Sequence, residues 1–149
     1  GDRMKAYESY KPVLKMKTDA TDGAKVFTRA CALCHTHDSA GYAVGPDLTA
    51  LRHQPAETLL LHTLVPKHEV AGGNTTYEVD TTDDQTFAGL LAADAPGQLT
   101  LKLPLGFTKT IARSEVKALR ASPLSLMPNE LEKTMTRQEL ANLIAFLKQ

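Results

Sequence analysis

The sequence predicts a mainly α-helical domain with a small antiparallel β-sheet inserted before its last helix. Three observations predict it. The segment that carries both cysteines reads as helix, the C-terminal 14 residues form a strongly amphipathic helix, and the stretch between them breaks into short alternating runs separated by turn residues. A chain of 149 residues, 42% of them hydrophobic, is long enough to bury one core and short enough to need only one.

In chain order, residues 1–20 are polar and mixed in charge, and are expected to be an N-terminal extension or interdomain linker before a domain spanning 21–149. The first helix of that domain is "TDGAKVFTRACALCH". Thr21 and Asp22 are capping residues there, and Gly23 and Phe27 share a face at i, i+4. A glycine at that position permits a close helix crossing. "PAETLLLHTLVP" is a short helix, with Pro55 at its start and Pro66 just past its end. "NTTYEVDTT", "QTFAGLLAA", "QLTLKL" and "KTIARS" are β-branched or alternating, with Tyr77 and Val79, then Leu99, Leu101 and Leu103, at every second position. "DD", "DAPG" and "PLGF" separate them as turns, which gives a β-rich insertion at about 74–113. The glycine-containing "EVAGGN", 69–74, lacks the strand-loop-helix setting of a phosphate cradle. "TRQELANLIAFLKQ" then opens with the capping box Thr136 and Glu139 and places Leu140, Leu143, Ile144 and Leu147 at i, i+3, i+4, i+7.

Composition excludes some partners. Seventeen basic and seventeen acidic residues leave no net charge and no basic run to neutralise a row of phosphates, so nucleic acid is not expected to bind. No segment approaches the roughly 20 apolar residues of a membrane span. With 5% aromatic residues and no Trp, the core is mostly aliphatic.

Chemistry concentrates in "CALCH". Cys31, Cys34 and His35 stand at i, i+3 and i+4, which on a helical turn is a single face. A thioredoxin-like dithiol would follow a strand in a βαβ pattern, whereas the residues before Cys31 read as helix. Zinc needs four ligands, and His37, His53, His62 and His68 lie at no finger spacing. A chance pair of buried thiols leaves the adjacent histidine unexplained. C-x-x-C-H is also the pattern of covalent haem attachment, in which two thioethers tether the porphyrin and the histidine reaches the iron as proximal axial ligand.

Taken together, "CALCH", "GPDL", "SLMP" and the final helix resemble the cytochrome c family, and most closely its planctomycete-type haem-binding domain; the similarity runs from about Asp22 to Gln149. The resemblance implies a class I cytochrome c-like helical haem fold with the sheet between the proximal and distal ligand segments. It implies one haem c and its iron, with thioethers at Cys31 and Cys34 and His35 as ligand. It also implies that the Pro46 carbonyl accepts a hydrogen bond from the other His35 nitrogen, which fixes the tautomer. Asp47 stands where many members have Asn. Gly45 and Pro46 also read plainly as a turn.

For the sixth ligand the expected residue is Met127. Pro123 and Pro128 stiffen its segment, which matches the family's distal loop. Met135 reads as a packing residue, and Met4 and Met16 precede the domain. His62, on the short apolar helix, is the rival ligand; His37 is expected to face solvent, and His53 and His68 carry no assignment. Asp83 and Asp84 read as turn residues rather than as paired catalytic carboxylates.

The expected function is one-electron transfer with His35 and Met127 as axial ligands. Electrons would arrive from a redox partner protein or a fused dehydrogenase-like domain, in a periplasmic or cell-surface setting, and no catalytic role is expected. The alternative is a haem protein with a labile distal ligand, serving as a small-molecule sensor or a peroxidase-like enzyme. The inserted sheet is expected to be a structural flap or a partner-binding surface.

Overall fold

The computed structural model describes residues 1–68 and 74–149. The stretch 69–73, and with it the reading of "EVAGGN", lies outside the described residues.

Among the described residues, four α-helices gather around one core. They are α1 (Asp2–Tyr10), α2 (Ala20–Ala30), α3 (Ala56–Leu64) and α4 (Arg137–Leu147). Asp19 rather than Thr21 or Asp22 caps α2, its Oδ1 accepting the N–H groups of Thr21 (2.9 Å) and Asp22 (3.3 Å). At α4 both halves of the capping box form, with Thr136 Oγ1 accepting from the Glu139 N–H and Glu139 Oε1 from the Thr136 N–H. α2 and α4 make the closest helix pair. A Cβ at Gly23 would lie 1.9 Å from the Asn142 carbonyl oxygen, so only glycine permits the crossing. Asn142, itself buried, turns its Oδ1 to the Asp19 N–H (2.9 Å) and fastens the start of α2 to α4. Phe27, Leu60, Leu64, Leu140, Leu143 and Ile144 fill the space between the helices.

The first 20 residues pack onto the helical core. α1 and the 3-10 turn Lys11–Lys15 bury Tyr7 and Val13 in the helical core. Arg3 reaches across to the buried Glu132 (Nη2 to Oε1, 2.5 Å) and donates through Nε to the Leu64 carbonyl (2.9 Å). The polar surface of this segment hid two apolar anchors whose partners lie far along the chain.

The strands among the described residues are β1 (Thr36–His37), β2 (Ala40–Gly41), β3 (Thr76–Thr81), β4 (Thr86–Asp94), β5 (Gln98–Lys102), β6 (Thr108–Ala112) and β7 (Val116–Ala121). β1 and β2 form a hairpin of their own. The others make a five-stranded antiparallel sheet in the order β6-β5-β4-β3-β7. Val79, Leu99, Leu101 and Ile111 are its buried centre, packed with Tyr77, Phe87, Leu91, Val116 and Leu119.

This overturns the expectation of a mainly α, class I cytochrome c-like helical fold. The sheet is a second structural unit with its own core, and the architecture is α+β. The missing piece was β7. Its sequence "VKALRA" has no clean alternation, and it becomes a strand by pairing with β3, where Arg120 bonds Glu78 Oε2 (3.0 Å) and Asp80 Oδ2 (2.6 Å).

Candidate functional site

α2 ends where the chemistry begins. Cys31 is its C-terminal cap, bonding through N–H to the Phe27 carbonyl, and the chain then turns so that the Cys31 carbonyl accepts both the Cys34 N–H (3.1 Å) and the His35 N–H (2.9 Å). Both cysteines are free thiols. Burial pushes the Cys31 thiol up to about 11, with a smaller contribution from neighbouring Cys34, and burial raises Cys34 as well. Both therefore remain protonated at neutral pH.

The β1–β2 hairpin folds the chain back over this turn. Asp38 and Ser39 adopt positive φ (47° and 69°), the combination a two-residue type I′ turn requires. The returning strand brings the Tyr42 N–H to the Ala32 carbonyl (2.9 Å) and the N–H groups of Val44 (3.1 Å) and Gly45 (2.6 Å) to the Cys34 carbonyl. Gly45 and Pro46 thus arrive beside His35. A Cβ at Gly45 would lie 2.8 Å from His35 Cε1, so the ring occupies the space a side chain would fill.

His35 Nδ1 stands 2.7 Å from the Pro46 carbonyl oxygen. A carbonyl only accepts, so Nδ1 carries the proton and the Nε2 lone pair is free. Burial lowers the His35 pKa, while the Pro46 bond raises it by less; the net shift favours the neutral ring. The loop beyond is tied down by Asp47, whose Oδ1 accepts from Thr49 N–H (3.0 Å) and Oγ1 (2.6 Å). Thr49 Oγ1 accepts the Asp38 N–H (2.8 Å), and Arg52 pairs with Asp38 (2.8 Å). The Thr49 hydroxyl and backbone hydrogen bonds hold the Asp47 carboxyl below its ordinary value. The sequence reading did not single out Thr49 or Arg52; Asp47 followed by a threonine two residues on is the signature that exposes the first of them.

The structure therefore brings Cys31, Cys34, His35 and Pro46 into one loop. Met127 lies elsewhere, half-buried in the irregular segment between β7 and the 3-10 turn Leu131–Thr134, with its N–H bonded to Ser125 Oγ (3.2 Å). Met135 is a core residue. His62 is half-buried on α3, its ring 6.1 Å from that of His68, and His53 is exposed. His37 is not solvated as expected. It is 3% exposed, with its ring 4.6 Å from Phe146 and 6.0 Å from Phe27, because the hairpin drives it into the α2–α4 crossing.

The donor set fits a covalently held haem. Two free thiols flank the turn, and the adjacent imidazole is held neutral with one nitrogen anchored and the other free. The other readings find less support. α2 leads directly into Cys31, where a thioredoxin-like dithiol would follow a strand. Among the described residues, no group of three or more His, Cys, Asp or Glu side chains is arranged to hold a metal ion.

A family model described as cytochrome c matches residues 20–149. No curated protein matches the chain. Among the described residues, no helix is long and apolar enough to cross a membrane.

Proposed function

The chain belongs to the cytochrome c family, whose members bind covalently attached haem c with its iron, and from that premise we propose that it transfers single electrons through one haem tethered at Cys31 and Cys34, with His35 and Met127 as axial ligands. When bound, the haem iron supplies the one-electron couple; the chain's own residues set its surroundings.

The observation that carries this reading is the 2.7 Å bond between His35 Nδ1 and the Pro46 carbonyl. It orients the imidazole, fixes the tautomer that leaves Nε2 as donor, and strengthens that donor by drawing on the Nδ1 proton. Gly45 supports the same ring from the side. Met127 sits in a segment stiffened by Pro123 and Pro128 and tied by Ser125, a setting that holds a thioether at low entropic cost. Methionine as sixth ligand favours the ferrous state and raises the potential relative to two histidines. The proposed partner is a redox protein or a fused dehydrogenase-like domain, met in the periplasm or at the cell surface.

The test is a mass spectrum and an alkaline pyridine spectrum of protein made in a host competent for cytochrome maturation, followed by ferric spectra of the wild type and Met127→Ala. Covalent haem, with loss of the sulfur-to-iron charge-transfer band in the variant, supports the reading. A polypeptide of bare mass overturns it. An unchanged ferric spectrum of Met127→Ala moves the sixth position to His62 or another base, and rapid complete binding of cyanide by the wild type favours a labile distal ligand.

A further inference from the structure

We propose that Leu105, in the turn between β5 and β6, is a positioning residue for the loop at residues 31–35, so that the five-stranded sheet helps set the geometry of the haem-attachment site. This deepens the reading above and rests on haem being attached at Cys31 and Cys34.

The carbonyls of the turn carry the argument. Those of Cys31, Ala32 and Cys34 accept N–H groups from nearby in the chain, namely Cys34 and His35, Tyr42, and Val44 and Gly45. The Leu33 carbonyl instead accepts the Leu105 N–H at 2.7 Å, from a turn more than 70 residues further along the chain. One of the two residues between the cysteines is thus bonded directly to the turn between β5 and β6.

Leu105 makes this bond from an unfavourable conformation. It sits at φ 63°, ψ 18°, the left-handed region that L residues with a Cβ rarely adopt. The turn is closed on both sides of it, with the Leu103 N–H donating to the Phe107 carbonyl (2.8 Å) and the Phe107 N–H to the Pro104 carbonyl (3.4 Å). The Leu105 side chain is 42% exposed, so burial does not explain the conformation. What the left-handed geometry achieves is an N–H aimed at Leu33.

The same turn touches the site a second time. A Cβ at Gly106 would lie 3.1 Å from Cδ1 of Tyr42, the residue whose N–H holds the Ala32 carbonyl. Both peptide carbonyls between the cysteines are therefore engaged with the turn, Leu33 directly and Ala32 through Tyr42. Behind it stands a continuous hydrogen-bonded ladder, β6 on β5 on β4, with a buried core of its own. The hydrogen bonds to the carbonyls of residues 31–34 hold the backbone from which the Cα–Cβ bonds of Cys31, Cys34 and His35 leave, so the tie to the sheet bears on where those side chains start.

The experiment uses the haem-loaded chain in three forms: wild type, Leu105→Gly and Leu105→Pro. The readouts are amide hydrogen exchange at Leu105, the paramagnetically shifted His35 ring protons of the ferric form, and the midpoint potential. The wild-type Leu105 amide is expected to be protected about tenfold, as one net hydrogen bond provides. Leu105→Gly keeps the donor and suits the positive φ, so it retains the wild-type resonances and potential. Leu105→Pro has no donor and cannot reach that φ, so both quantities shift while the mass still includes haem. An unprotected Leu105 amide in the wild type overturns the proposal, as does a folded Leu105→Pro with wild-type resonances and potential. If Leu105→Pro does not fold, exchange at Leu105 in the wild type decides. A wild type without haem defeats the function proposed above, and exchange at Leu105 in that same preparation still tests the tie to Leu33.

Discussion

Gly45 lies against the His35 imidazole so closely that a Cβ at position 45 would stand 2.8 Å from Cε1 and 3.2 Å from Nδ1. The contact places the Pro46 carbonyl in line with Nδ1, and it leaves no room for a methyl group. Gly45→Ala is expected to push the ring off that carbonyl at a cost of about 1–3 kcal/mol of stability. Urea unfolding of the apo chain reads the loss, and displaced His35 ring-proton resonances in the ferric protein read the reorientation. An unaltered pair of measurements would mean that the ring is held by something other than this wall.

The α2–α4 crossing is more demanding still. A Cβ at Gly23 would fall 1.9 Å from the Asn142 carbonyl and 2.9 Å from Phe146 Cβ, against backbone that cannot swing aside. Gly23→Ala is expected to destabilise the fold by about 3 kcal/mol, at the upper end of overpacking effects, with a lower urea midpoint at unchanged slope.

His37 offers the opposite case. Its Nε2 is buried without a hydrogen-bond partner, and its ring is packed among aromatic neighbours. Its Nδ1 lies 3.6 Å from Asp38 Oδ2, too far for a normal hydrogen bond, so replacing the ring with an apolar side chain of similar size removes the desolvation cost of Nε2 at little loss, and His37→Leu is expected to be neutral or stabilising by about 1 kcal/mol. Thermal unfolding checks this, and a haem spectrum identical to the wild type would show that His37 has no part in ligation.

Arg3 and Glu132 join α1 to the turn that follows the Met127 segment. Glu132 is buried and its Oε2 has no partner, so Arg3 is what compensates its charge. Arg3→Met is expected to cost about 3–5 kcal/mol by leaving a buried carboxylate unpaired. The double variant Arg3→Met, Glu132→Met recovers most of that, because the stranded charge is gone. Urea unfolding of the two variants distinguishes a charge effect from simple loss of packing.

The sheet has its own acid sensitivity. The Arg120 guanidinium, and then the Thr86 hydroxyl, hold the Asp80 carboxyl below its ordinary value in the folded chain. The unfolded chain therefore binds more protons through the carboxylate range. This contribution is fully present at neutral pH and is lost as pH falls through the ordinary and then the depressed Asp80 value. Far-UV dichroism across an acid titration is expected to show a shallower loss for Asp80→Asn than for the wild type.

Local patterns were legible wherever local rules decide. Residues 55–66 gave α3 between its prolines, the Thr136 and Glu139 box gave the start of α4, and alternation gave β3 to β6. The role of Gly23 at the helix crossing was also readable, since a glycine on the same face as Phe27 leaves room for a second helix to approach closely. α1 and β7 were not readable, because both are fixed by partners distant in sequence: Tyr7 and Val13 by the helical core, and Val116–Ala121 by β3. At the site, the C-x-x-C-H spacing named the chemical groups. The buried setting of His37 came from the hairpin's path, which no spacing encodes.

By itself the sequence determined the donor set, two thiols and an imidazole within five residues, because covalent spacing alone brings them together. Only the tertiary structure decided that Gly45 walls the imidazole, that the Pro46 carbonyl selects its tautomer, and that Leu105 reaches across from the sheet to hold Leu33. The reason is physical: these contacts join segments whose encounter depends on burying two separate apolar cores, and no window of neighbouring residues contains that free energy.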